Sequence, residues 1–157
     1  NFTVQIDEKE KENIDLINTS LQNSKNDFSS KANICPNKLP ENYFSEMKEV
    51  LLEDVAWGRS GDKGNKANIG IIARKKEFLP FIWNTFTEKK IAELFAHFLE
   101  NDKVDRFYLP GISAINFLLH DALGGGGTSS LRNDPQGKGY AQILLSCKLF
   151  IPRSLII

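Results

Sequence analysis

Cysteine and histidine are scarce in this chain of 157 residues: Cys35 and Cys147 are its only thiols, His97 and His120 its only imidazoles. The cysteines lie far apart in dissimilar contexts, so they make no disulfide framework, and a reducing compartment is the simpler reading. Nothing clusters at zinc spacing, so neither a metal site nor a cofactor is expected. Net charge is lacking too. Twenty basic residues balance twenty acidic ones, so no global field draws nucleic acid or an anionic membrane to the chain. Charge-based recognition must therefore be local. No apolar run reaches transmembrane length, and Asn1-Phe-Thr-Val lacks the basic and apolar regions of a secretory signal. The cytoplasm is the expected location. A first residue that is Asn instead of Met reads as a piece of a longer polypeptide or a processed form.

Composition changes sharply near Met47. Residues 7 to 42 are dominated by Asn, Lys, Glu, Asp and Ser, too little apolar surface to offset the entropy of ordering them. Residues 1–46 are thus expected to be a disordered linker or the remnant of an upstream domain. A short helix over Lys9 to Leu21 fits Ile14, Ile17 and Leu21 on one face, and Pro36 and Pro40 discourage any helix after it. Residues 47–152 read as one globular domain and 153–157 as a tail.

Within the domain, Val50–Trp57 and Ala67–Ala73 read as strands. Glu77–Trp83 reads as a short helix, with Pro80 in its first turn. Thr87 is a good N-cap for a helix with Ile91, Leu94, Phe95 and Phe98 at helical spacing. Val104–Leu109 alternates and ends at Pro110-Gly111, a third strand. Ser113 is expected to cap a helix through Ile115, Leu118, Leu119 and Leu123 that stops at the glycine run. Gly139–Ile151 is expected to be the last and longest strand. Trp57 and Trp83 are expected in the core. The order β-β-α-α-β-α-β predicts an α+β fold, a two-layer sandwich of about four strands with helices on one face. Leu94, Phe95 and Phe98 are expected to pack against Ile69, Ile71 and Leu144.

Two polar segments interrupt this apolar pattern. Arg59-Ser-Gly-Asp-Lys-Gly-Asn65 joins two strands and can be read as a hairpin loop, with Gly61 and Gly64 at positive φ and Asp62 in an Asx-turn. That reading leaves the convergence of Arg59, Lys63, Asn65 and Asn68 unexplained; charge-assisted contact with a carboxylate or phosphate explains it. Gly58-Arg-Ser60-Gly-Asp62 departs from the G-x-S-x-G elbow at its last glycine, and a strand follows it, so Ser60 is not read as a nucleophile. The second segment is Gly124-Gly125-Gly126-Gly127, followed by Thr128, Ser129, Arg132, Asp134 and Lys138. One glycine suffices for a helix C-cap; four imply close approach of the main chain to a ligand or to another strand. Neither a Walker loop nor a dinucleotide fingerprint fits, and an anion nest stays open. His120, beside Asp121, is either a helix-end residue favoured by the dipole or an acid/base group lacking a third partner. Arg59, Lys63, the Gly124–Gly127 turn and Arg132 are expected to meet at one end of the sheet.

From about Leu51 to Pro152 the chain resembles the small C-terminal domain of the acyclic terpene utilisation protein A (AtuA) family. Trp57-Gly-Arg-Ser-Gly-Asp-Lys-Gly-Asn-Lys-Ala-Asn-Ile-Gly70 and Leu123-Gly-Gly-Gly-Gly-Thr-Ser-Ser-Leu-Arg-Asn-Asp-Pro-Gln-Gly-Lys138 carry the likeness. It implies a ferredoxin-like fold, a large upstream domain as partner in cis or in trans, and a setting in acyclic terpene breakdown through coenzyme A thioesters. It carries over no catalytic residue. Two strands before the first crossover depart from the plain β-α-β-β-α-β order.

Three functions follow as expectations. The first is an accessory domain that binds a small acidic metabolite, an acyl-CoA or a carboxylate, and completes a site on its partner domain. The candidate ligand-binding residues are Arg59, Ser60, Asp62, Lys63, Asn65, Asn68, His120, Gly125, Gly126, Thr128, Arg132 and Lys138. The second is part of a lyase- or hydratase-type site using His120 or Asp62. The third is a structural domain, self-associating or packed against a neighbouring subunit through its glycine-rich loop.

Overall fold

A computed structural model describes Pro36, Leu39 and residues 46–156. Apart from those few positions, the linker expected over 1–46 lies outside the described residues, as do the helix expected from Lys9 to Leu21 and Cys35. The described elements are β1 (Met47–Leu51), α1 (Leu52–Val55), β2 (Ala56–Lys63), β3 (Lys66–Ala73), α2 (Leu79–Thr85), α3 (Glu88–Leu94), β4 (Val104–Leu109), β5 (Ala114–Leu119), α4 (Tyr140–Leu145) and β6 (Lys148–Pro152). Four strands make a sheet of order β2-β3-β5-β4, every neighbouring pair antiparallel. β3 and β4 both run antiparallel to β5 and so parallel to each other, with α2 and α3 forming the crossover between them. β1 and β6 pair separately, Met47 opposite Pro152. The fold is an α+β sandwich of antiparallel sheets and helices, as the alternation of apolar segments and turn signals predicts.

One face of the four-stranded sheet is buried. Ile69, Ile115, Phe117 and Leu119 are fully shielded, and Ile71 nearly so. Phe95, after α3, and Tyr140, opening α4, cover this face with their rings stacked 5.3 Å apart. Leu94 and Phe98 are half-buried against the same core. The expected helix start at Thr87 is present, its Oγ1 accepting from the backbone nitrogen of Lys90 at 3.2 Å. The opposite face is open: Trp57, Ile72, Phe107 and Leu109 are all exposed.

Several local expectations are corrected. Ala114–Leu119 is a central strand where a helix was expected, and Ser113 has a left-handed φ of 50° instead of capping a helix. Ile115 and Leu119 are four residues apart, a spacing that fits a helix face and a strand face alike. Buried Phe117 and two hydrogen-bonded neighbours settle it as a strand. Gly139–Ile151 is a helix followed by a strand. Tyr140, Ala141 and Leu144 are buried at helical spacing, and Leu144 therefore packs from α4. Asp134 anchors the start of α4, its carboxylate accepting from Lys138 N at 2.9 Å and Gly139 N at 2.8 Å. Val50–Trp57 is broken by the single turn of α1, whose Asp54 accepts from Leu51 N at 3.0 Å. Trp57 is 54% exposed instead of buried, because alternation along β2 puts it on the open face, under the Arg74 guanidinium at 4.6 Å. Trp83 is half-buried against the core, as expected.

Candidate functional site

Arg59 to Lys63 belong to strand β2; only Gly64 and Asn65 form the turn, with Gly64 at φ 67°. Gly61 has no positive φ, so it serves no turn. The register then fixes which residues share the open face. Trp57, Ile72, Ala114 and Leu109 form one row across the sheet; Arg59, Gly70, Asn116 and Phe107 the next; Gly61, Asn68, Leu118 and Asp105 a third. Two glycines in adjacent rows leave a side-chain-free floor. Over it lies a cleft of about 360 Å³ flanked by Arg59, Lys63, Asn68 and Lys138.

Ser60 and Lys138 explain how the basic wall is built. Ser60 points to the buried face, 5% exposed, where its hydroxyl donates to Lys138 O at 3.0 Å and accepts from Ala141 N at 2.9 Å. That pair of bonds clips the start of α4 to the sheet edge. It sends the Lys138 side chain around the edge, its Nζ 3.4 Å from where a β-carbon on Gly61 would lie. Lys63 Nζ donates to Asp62 O at 2.9 Å. Among the described residues, Arg59 and Lys138 make no ion pair, and Asp62 is the carboxylate that lines the cleft with three cations. Asn68, on the floor side, donates from Nδ2 to Asn116 Oδ1 at 3.3 Å. The arrangement can accept an anion: charged donors converge on a surface where backbone comes close.

The glycine run does something else. It follows a strand, not a helix, so no C-cap is involved. Asn65 organises it: its carbonyl accepts from Ala122 N at 2.9 Å and Leu123 N at 3.3 Å, its Oδ1 from Gly125 N at 2.7 Å, and its Nδ2 donates to Asp121 Oδ1 at 3.1 Å. Gly124, Gly125 and Gly126 have φ values of 60°, 101° and 86°. Of the two partners open to the run, ligand or strand, the β2–β3 hairpin is the one it touches. Arg132 reaches under the run and donates from Nη1 to Phe98 O and Ala122 O. It is a strut between segments and does not line the cleft. Thr128 is exposed.

The expected meeting point is thus split. The hairpin tip does touch the glycine turn, but Arg59 lies further along β2 and Arg132 is engaged elsewhere. Arg59, Ser60, Asp62, Lys63, Asn68 and Lys138 share the cleft. Asn65, Gly125 and Gly126, with Arg132, form the clasp beside it.

His120 follows β5, not a helix. Its Nε2 lies 2.7 Å from Asp105 Oδ2, and its backbone nitrogen donates to Lys103 O at 3.0 Å. It is nearly buried, with a carboxylate that orients the ring. Asp105, Gly70 and Asn116 were missed in the sequence. Reading β5 as a helix hid the cross-strand pairs that bring Asp105 to His120 and Asn116 to Gly70. Among the described residues no three His, Cys, Asp or Glu side chains converge as a metal site, and no helix is long and apolar enough to cross a membrane.

In comparison with known proteins, a family model described as the AtuA ferredoxin-like domain matches residues 50–150. No curated protein matches, and no solved structure matches.

Proposed function

The chain belongs to the AtuA ferredoxin-like domain family, and from that premise we propose that it is an accessory domain holding the acidic group of a small metabolite. The observation that carries this reading is the cleft of Arg59, Lys63 and Lys138 over Gly61 and Gly70. Arg59 and Lys138 are exposed and make no ion pair among the described residues, so their charges are left facing the glycine floor. The family resemblance supports a carboxylate or coenzyme A thioester from acyclic terpene breakdown as the metabolite. It also supports an upstream domain, in cis or in trans, that completes the site, while the sparse cysteine usage fits a cytoplasmic setting. The His120–Asp105 pair favours a second reading, in which a carboxylate-oriented imidazole on the same sheet acts as acid or base in a lyase- or hydratase-type step.

Calorimetric titration with acetate, phosphate and a coenzyme A thioester tests the anion site. Arg59→Ala and Lys138→Ala should each weaken binding about tenfold while leaving unliganded stability within about 0.5 kcal/mol. Equal destabilisation with and without ligand, or no binding by the wild type, would refute it.

A further inference from the structure

Gly70 sits in β3, between two hydrogen-bonded neighbours, where a glycine weakens a strand. Nothing in the fold demands it. Its φ is not positive, and a β-carbon there would meet only Arg59 O at 3.8 Å and Asn116 Oδ1 at 3.9 Å, ordinary contact distances. Gly58 differs, since a β-carbon there would stand 2.9 Å from Ile71 Cδ1. A strand glycine often marks a bulge, a bend or a close approach by another group, and the unbroken register of Gly70 with Arg59 and Asn116 leaves the last of these.

What adjoins Gly70 indicates that group. On its polar side lies the cleft already described. On the other side the face turns apolar within one register row, with Trp57 opposite Ile72 and Leu109 continuing the row. Ile112 beyond them is 60% exposed. These side chains bound a groove of about 250 Å³. Arg59 and Gly70 line both depressions, so the two adjoin across the Arg59–Gly70 row. A contiguous apolar group on a surface marks a binding site in a way that single exposed residues do not.

We propose that the two depressions take one amphipathic acid, its acidic head between Arg59 and Lys138 and a slender apolar arm crossing Gly70 to lie between Trp57, Ile72 and Ile112. This rests on the anion-site reading and adds the arm. Together the adjoining depressions set positive charge beside apolar wall, which fits a ligand whose charge is confined to one end. From the Gly61 row to the Trp57 row is about 13 Å along the strand, the span such an arm would follow.

Titration of the full chain with acetate, octanoate and 1-octanol, together with binding to phosphatidylserine vesicles, tests the arm. Octanoate should bind at least tenfold more tightly than acetate, since each shielded methylene is worth up to about fourfold. Octanol, lacking the charge, should bind more weakly than octanoate. Gly70→Val suits a strand and plugs the junction; it should lower octanoate affinity more than acetate affinity, so that the two converge. Ile72→Ser, at an exposed position, is a second variant that should lower octanoate affinity severalfold and spare acetate. Equal affinity for acetate and octanoate overturns the arm and leaves the anion site standing; no binding of either overturns both. Octanoate binding indifferent to Gly70→Val and Ile72→Ser overturns the placement. Vesicle binding without octanoate binding overturns the proposal in favour of a lipid surface.

Discussion

Gly126 lies so close to Gly64 that a β-carbon on the first would stand 2.7 Å from the carbonyl oxygen of the second. The contact is backbone against backbone, and Gly126 also has φ 86°, so no rotamer change makes room and the main chain itself must shift. Gly126→Ala should destabilise the fold by about 2–4 kcal/mol. Gly64→Ala, at φ 67° but with open space around it, should cost only about 1–2 kcal/mol. Urea unfolding of both variants checks the order; equal losses would mean that the clasp is not under steric control.

Ser60 joins fold to site. Ser60→Ala leaves Ala141 N without its side-chain acceptor in a buried position and should cost about 1–3 kcal/mol. It also frees Lys138 O, so the anion affinity of the cleft should fall along with stability, unlike in Arg59→Ala. Paired unfolding and titration measurements separate the two variants.

Phe95 is fully buried, 5.3 Å from the Tyr140 ring and 6.4 Å from Phe98. Phe95→Ala should lose about 3–5 kcal/mol by chemical denaturation. A loss below about 1 kcal/mol would contradict the packing of the segment after α3 on the sheet.

Burial pushes the Tyr140 hydroxyl above its ordinary pKa of 10.0, against the opposing pull of Arg132. The folded state therefore resists losing this proton more than the unfolded chain does. Its contribution is fully present below about pH 10 and is lost as pH rises through the unfolded value toward the higher folded one. The hydroxyl donates to Ala122 O at 2.8 Å, so Tyr140→Phe should be less stable than wild type at pH 8. The gap should narrow from pH 10 upward, followed by urea unfolding at a series of pH values. A gap that widens would reverse the sign of the shift.

Much of this was legible in the chain, but unevenly. β3, β4 and the helix start at Thr87 could be read because each carries one unambiguous pattern: an isoleucine run, an alternation, a cap. β5 and α4 could not. Ile115 and Leu119 satisfy both periods at once, and the apolar run from Ala141 to Leu145 has no polar interruption except Gln142. Only the neighbouring elements decide such segments. The polar stretch Arg59–Lys63 hid as a loop because β2 is an edge strand whose inward position is filled by a serine bonded to α4. The basic residues of the cleft were singled out by charge alone. Gly70 and Asn116 were not, since their role depends on a register that no local pattern encodes.

The pairing of β1 with β6 has a mechanical consequence. Because Met47 stands opposite Pro152, the outer ends of the two strands lie at the same end of their ladder. A pull applied before β1 and after β6 would open that ladder as a zipper opens, one pair after another, instead of shearing every bond together. The β2-β3-β5-β4 sheet would bear load only after the zipper had run to Leu51 and Lys148, so its open face would outlast the first yielding of the chain.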